Sequence, residues 1–180
     1  MRLMRSTVEL ARLHEDRAHA LVIALGRLAD ALGESEEAFA LSQEAVPLIG
    51  QLRPRKRKKH ARELAEAFER HGERLRTGGD SENAVAARRE AIAIREQWLA
   101  TDQLALARSY SRLVRGLVAD RQWDAALDAA DAAVTILRTH GGGPELAAAL
   151  LRRAAVLTVL ERAEAAQADA AEAEAIIGPQ

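Results

Sequence analysis

The fold is decided by residues 81–92, Ser-Glu-Asn-Ala-Val-Ala-Ala-Arg-Arg-Glu-Ala-Ile, because their pattern recurs along the chain. The pattern is a small polar or acidic turn, an alanine and, seven residues later, a second alanine followed by an aliphatic residue. Copies occupy residues 35–46 and 123–134, and a weaker copy occupies 163–173. The first alanines are residues 38, 84, 126 and 166, so the spacings are 46, 42 and 40. Such a period predicts an array of stacked supersecondary units.

An amphipathic segment precedes each copy of the pattern. In these segments apolar residues recur at steps of three and four, as on one face of an α-helix. Gly33 and Gly79 favour the left-handed conformation that ends a helix, and Asp80 is a natural N-cap. Pro144 is suited to a first helical position. Each unit is therefore predicted to be a pair of antiparallel helices joined by a short turn.

The composition supports an all-α fold. Hydrophobic residues, mostly alanine, make up 48% of the chain and aromatic residues only 3%. Alanine has the highest helix propensity, and no stretch alternates apolar and polar residues as a half-buried strand would. The 26 basic and 27 acidic residues leave a net charge of -1, which gives no overall case for binding nucleic acid or anionic membranes.

The spacing of glycines and alanines resembles the tetratricopeptide repeat family, in its longer-period bacterial form. Leu25-Gly26, Gly33, Ala38 and Ala45 match the family pattern in the first unit, and Gly72, Gly79, Ala84 and Ala91 match it in the second. The third unit keeps Tyr110, Leu113, Trp123, Ala126 and Ala133 but has Val114 where glycine is typical. The resemblance implies a right-handed superhelix, or solenoid, of about four antiparallel helix pairs.

The predicted organisation begins with residues 1–17 as the tail of a preceding repeat helix or an N-terminal cap. Repeat 1 then covers 18–52, a basic linker 53–60, repeat 2 61–100, repeat 3 101–140, and repeat 4, which is also the C-terminal cap, 144–177.

The resemblance implies a non-enzymatic scaffold that binds a partner protein or peptide in a groove lined by the first helices. It also suggests the sensor or regulatory part of a larger bacterial signalling protein. Carried over by position, the groove residues are Arg27, Asp30, Glu66, Glu69, Glu73, Arg76, Arg108, Ser111 and Arg115. Adjacent acidic and basic rows predict a partner of mixed charge. The three glutamates of repeat 2 disfavour the basic clamp by which some family members bind chaperone tails.

The strongest local charge block is basic: Arg53, Arg55, Lys56, Arg57, Lys58 and Lys59. It favours an acidic protein segment, an anionic surface or nucleic acid, but no aromatic residue interrupts it to stack on bases. Nucleic-acid binding is thus a minor alternative to a solvated linker. A further alternative is a homo-oligomer that assembles through the repeat ends. Trp98, at a helix end, is a candidate interface anchor if it is exposed.

No constellation predicts catalysis or a cofactor. The chain has no cysteine, and its five histidines lack the partners of a metal site. Glu66, Glu69 and Glu73 are expected on an open surface, where their pKa values would be unshifted. The N-terminus has no signal-peptide pattern, and no apolar run approaches the length of a membrane span. A cytoplasmic protein is expected.

Overall fold

The structure, a computed structural model, describes residues 5–6, 18–33, 35–49, 52 and 54–178. Within this part the chain forms eight α-helices and no strands. The helices are α1 (Ala18–Leu32), α2 (Glu36–Ile49), α3 (Pro54–Thr77), α4 (Ser81–Trp98), α5 (Gln103–Ala119), α6 (Trp123–His140), α7 (Gly143–Val159) and α8 (Ala163–Ile177).

The helices stack in chain order as four antiparallel pairs. Each first helix (α1, α3, α5, α7) packs most extensively on the second helix that follows it, and each second helix packs on the next pair. Successive first helices therefore lie side by side along one face of the array. The all-α solenoid predicted from the repeat is confirmed.

The turns within three of the pairs repeat the same hydrogen bond. In each, a backbone N–H just after the turn donates to the carbonyl of a leucine five residues earlier. The bonds are Asp80 to Leu75 at 2.8 Å, Gln122 to Leu117 at 2.9 Å, and Arg162 to Leu157 at 2.9 Å. This geometry is the structural counterpart of the sequence repeat.

The turns differ in the residue that adopts the left-handed conformation. Gly33 (φ 63°) and Gly79 (φ 87°) do so in the first two pairs, as predicted. Arg121 (φ 55°) and Glu161 (φ 57°) do so in the last two. A side chain in this conformation costs about 1–2 kcal/mol, which packing in the later repeats must offset.

The alanines of the recurring pattern lie where helices cross. Ala84, Ala91, Ala126 and Ala173 are fully buried, and Ala38, Ala133 and Ala166 are nearly so. Because alanine has no side chain beyond Cβ, it lets the two helices of a pair approach closely. The buried apolar residues form three clusters along the stack, and Phe68 and Leu25 are fully buried in the first of them.

The predicted basic linker is instead helical. Residues 54–60 form the first turns of α3, which begins at Pro54. Proline is favoured at the first helical position because its missing N–H would have no partner there, and no helix breaker follows it until Gly72. The segment 1–17, predicted as a preceding helix or cap, lies outside the described residues, except for 5–6. None of the described helices has the length and hydropathy that crossing a membrane would require.

Candidate functional site

The first helices border two clefts on one face of the array. The α3–α5 cleft has a volume of about 440 Å³, and the α5–α7 cleft about 260 Å³. Together they are called the groove here. The α3–α5 cleft is lined by Glu66, Glu69, Arg70, Glu73, Arg112 and Arg115. The α5–α7 cleft is lined by Arg108, Ser111, Arg112, Arg115, Leu137, Glu145, Ala148 and Arg152.

The structure brings most of the predicted groove residues to these two clefts. Glu66, Glu69, Glu73, Arg108, Ser111 and Arg115 line them, and Arg76 is bonded to Glu73. Arg27 is exposed on α1, and Asp30 lies on the same helix with its side chain outside the described part. Whether these residues bind a partner stays a prediction.

Glu69 is buried within the groove wall, not on the open surface that the sequence suggested. Its side chain is 9% exposed and accepts a hydrogen bond from Arg95 of α4 at 3.2 Å. Ser109 and Arg112, both on α5, also donate to its carboxylate. Glu69 thus joins three helices, because its partners come from the other helix of its own pair and from the first helix of the next.

Glu73, one turn further along α3, is the centre of a second ion cluster. It accepts from Arg76 at 2.8 Å and from Arg88 at 2.7 Å, and Arg115 lies 3.7 Å away. The hydrogen bond from Arg76 and the nearby Arg115, Arg76 and Arg88 charges lower the pKa of Glu73 below its ordinary value, against a smaller effect of burial. The expectation of an unshifted pKa is therefore wrong for Glu73.

Arg88 reaches Glu73 by passing between two glycines. Its side chain is 1% exposed, and burial is the main cause that lowers the pKa of its guanidinium. A Cβ at Gly72 would lie 3.1 Å from its Cγ, and one at Gly116 would lie 2.9 Å from its Nη1. The space that these glycines leave lets a buried side chain from the second helix α4 reach a carboxylate of the groove.

The two glutamates are outnumbered by the arginines that bind them. Arg76, Arg88, Arg95, Arg112 and Arg115 form ion pairs with Glu69 and Glu73, so five arginines face two glutamates. The formal charge of these two clusters is therefore +3. Of the acidic row predicted for repeat 2, Glu69 and Glu73 are paired with arginines, whereas Glu66 makes no ion pair within the described residues. The basic excess belongs to the two ion clusters, which include the buried Arg88 and Arg95 behind the groove.

The α5–α7 cleft continues this basic surface. Arg108 donates to Glu145 from Nη2 at 2.6 Å and from Nε at 3.1 Å, which ties α5 to α7. Arg152 donates to the carbonyl of Ala148 on its own helix at 3.0 Å. It makes no ion pair with any residue that the structure describes. Four arginines and one glutamate line this cleft.

The basic segment lies at the start of α3, and none of its described residues lines either cleft of the groove. Lys56, Lys58 and Lys59 are exposed, whereas Arg53 and the side chains of Arg55 and Arg57 lie outside the described residues. The Lys58 ammonium donates to Thr101 at 3.1 Å, and Lys59 lies 3.8 Å from Glu63. These contacts tether part of the segment to neighbouring structure, and its predicted role stays untested.

Trp98 is not the exposed anchor that its position suggested. It is partly buried at the last position of α4 and packs against the core around Phe68. The condition attached to that prediction, an exposed indole, is not met.

Four residues of the ion clusters and their surroundings were not predicted from the sequence: Arg88, Arg95, Arg112 and Gly116. Arg88 and Arg95 are seven residues apart on α4, and both are buried among its apolar positions. Two arginines that share the core face of an amphipathic helix were a signal for buried ion pairs, since an unpaired charge is rarely buried. Gly116 had no such signal, because the family pattern places glycine two residues earlier, at Val114.

No cluster of three or more His, Asp or Glu side chains that could hold a metal ion occurs in the described part of the chain.

Comparison with known proteins shows the fold alone. No protein-family model and no curated protein sequence matches the chain. Among solved structures, BtubC (BKLC) from P. vanneervenii matches with a TM-score of 0.56 and 18% identity over 98% of this chain and 91% of that one. The nearly identical TPR-like repeats of a Podosopora anserina putative kinesin light chain match with a TM-score of 0.50 and 21% identity, over 96% and 94% of the two chains. A form of those repeats with a single substitution has the same TM-score and identity.

Proposed function

From this tetratricopeptide-like fold, we propose that the chain is a non-enzymatic scaffold whose groove, lined by α3, α5 and α7, binds a partner protein or peptide. The observation that supports the proposal most is that charged side chains of three successive first helices border two adjoining clefts. Such a row presents a continuous surface longer than any one repeat. Extended concave surfaces of this kind are what solenoids use for binding.

The ion clusters would make the groove rigid before the partner arrives. Glu69 and Glu73 join α3 to α4 and α5, so the spacing of the groove-lining helices is fixed by bonds between them. A preformed surface loses less conformational entropy on binding than a flexible one. Binding and positioning would then be the whole mechanism, with no chemical step. A place in a larger bacterial signalling protein fits this role and stays part of the proposal.

The groove is tested best by blocking it without breaking its ion clusters. Ser111 lines the α5–α7 cleft and belongs to neither cluster. Ser111→Trp should fill that cleft and abolish capture of partners from a lysate of the source organism. Asp128→Trp is the matched control, because Asp128 is exposed on the second helix α6 and lines neither cleft. Equal capture by both variants would contradict the proposal.

The other two predicted functions stay predictions. Self-assembly through the repeat ends predicts an oligomer by light scattering. Nucleic-acid binding through residues 53–60 predicts an affinity that falls with salt and with neutralisation of Lys56, Lys58 and Lys59.

A further inference from the structure

We infer that the α5–α7 cleft binds an acidic protein segment that carries an apolar side chain. The inference rests on the proposed function and adds the chemistry of the partner. Its first basis is charge: the described part of the chain lines the cleft with Arg108, Arg112, Arg115 and Arg152 and with one acidic residue, Glu145. A partner rich in carboxylates complements this surface.

The arginines of the cleft remain accessible although some are paired. The side chains of Arg108, Arg112 and Arg115 are 57%, 43% and 49% exposed. Arg112 and Arg115 share their glutamates with buried arginines of α4, namely Arg95 and Arg88. The buried arginine therefore already balances part of the negative charge of each glutamate. The exposed guanidinium groups of Arg112 and Arg115 keep N–H donors that a ligand could use.

Arginine favours a carboxylate ligand for geometric reasons. Its guanidinium holds five N–H donors in a planar fork that matches the two oxygens of a carboxylate, and it is less strongly hydrated than an ammonium. Arg152 is the best placed of the four, since it makes no ion pair within the described residues and is exposed at the cleft. A carboxylate of the partner would form an ion pair with Arg152.

An apolar residue beside the arginines favours protein over nucleic acid. Leu151 precedes Arg152 on α7 and is 45% exposed, three residues after the cleft-lining Ala148. Residues three apart on a helix lie on the same face. Among the residues that the structure describes, no aromatic side chain lines the cleft for base stacking. A segment with acidic residues around a leucine-like side chain complements both the arginines of the cleft and the exposed Leu151.

The test is fluorescence anisotropy with the full chain and a short labelled peptide of glutamates around one leucine. Two peptides of equal length serve as controls, one with glutamine for glutamate and one with lysine for glutamate. The glutamate peptide should bind, its affinity should fall with added salt, and the control peptides should bind at least about tenfold more weakly, as expected when charge-assisted hydrogen bonds are lost.

Substitutions in the cleft and beside it locate the peptide. Arg152→Glu should weaken binding about tenfold or more, and Leu151→Ser should weaken it by a smaller factor. Arg89→Glu, on the exposed side of α4, makes the same change in net charge and should change the affinity by less than about twofold. Circular dichroism checks that each variant stays helical.

Three results would overturn the inference: equal binding of the glutamate and glutamine peptides, equal weakening by Arg152→Glu and Arg89→Glu, or an RNA oligonucleotide that displaces the peptide and loses affinity with Arg152→Glu. If no acidic peptide binds while Ser111→Trp still abolishes partner capture, the partner chemistry is wrong and the proposed function stands. If Ser111→Trp has no effect on capture, the proposed function fails as well.

Discussion

The Nη1 atom of Arg88 lies 2.9 Å from the position that a Cβ atom at Gly116 would occupy. The same Cβ would lie 3.0 Å from Cγ2 of Val85. Arg88 has little room to retreat, because its Cγ packs closely on Gly72, where a Cβ would lie 3.1 Å from it. The bond from Arg88 to Glu73 therefore depends on two residues without side chains.

Gly116→Ala is expected to lower the free energy of unfolding by about 1–3 kcal/mol, the usual cost of overpacking a core. Urea unfolding followed by circular dichroism measures this change. Gly26→Ala is the control, because a Cβ there would meet nothing within 4 Å. Replacing a helical glycine that has free space around it by alanine raises the free energy of unfolding by about 0.5–1 kcal/mol. If Gly116→Ala stabilises the protein as Gly26→Ala does, the Arg88 side chain is not packed tightly against Gly116.

Glu69→Ala is expected to lower the free energy of unfolding by about 3–5 kcal/mol, because it leaves the buried Arg95 without its carboxylate. Glu66→Ala, on the same helix but exposed and without an ion pair among the described residues, should change it by less than about 0.5 kcal/mol. If Glu69→Ala lowers the free energy of unfolding as little as Glu66→Ala does, Glu69 is solvated and not buried. For the same reason, charge reversal at Glu69 is a poor test of binding, since it would damage the fold.

Stability should depend on pH through Glu73. Its pKa in the folded protein is lowered from 4.5, so the unfolded chain binds more protons than the folded one as the solution is acidified. The contribution of Glu73 is complete above pH 4.5 and is lost as the pH falls through the lowered value. Urea unfolding across this range should show a steeper loss for the natural chain than for Glu73→Gln. If the free energy of unfolding of both chains falls equally with pH, Glu73 is not paired with the arginines as described.

Tyr110, the one tyrosine of the chain, should ionise at unusually high pH. Burial and the hydrogen bond to Glu96 raise its pKa from 10.0 to about 12. An absorbance titration of tyrosinate should show this midpoint, and Glu96→Gln should move it down. The folded state favours the neutral form of Tyr110. The contribution of Tyr110 to the stability of the fold is therefore complete below pH 10.0 and is lost towards about pH 12. A midpoint near 10 in the natural chain would contradict the contact.

The repeat could be predicted from the sequence because its positions are set by local steric requirements. Ala84 and Ala126 mark helix crossings that accept only a small side chain, and Asp80 marks a helix start; these features act over a few residues. The structure confirms all three.

The ion clusters could not be predicted because their partners lie far apart in the sequence. Glu69 and Arg112 are 43 residues apart, and their contact depends on the exact rotation of α3 against α5. A helical pattern shows that Glu69 lies at the edge of the apolar stripe formed by Ala65 and Phe68, but it does not show that a neighbouring helix covers it. The sequence therefore placed most of the predicted groove residues at the clefts, while the buried carboxylate and the basic excess were not foreseen.

The start of α3 illustrates a different limit. A block of like charges usually indicates a solvated segment, and positive charge at a helix N-terminus opposes the helix dipole. Here the proline at the first position and the apolar residues that follow outweigh that cost, because Ala61 and Leu64 are buried in the core.

The partner is proposed to lie in the groove between first helices. Site-specific photo-crosslinking in the source cells tests it most directly, with a photoreactive side chain at Ser111 in one chain and at Asp128 in another. We expect one discrete crosslinked partner from position 111 and none from position 128. Crosslinks from position 128 alone, or the same products from both positions, would show that another surface makes the contact.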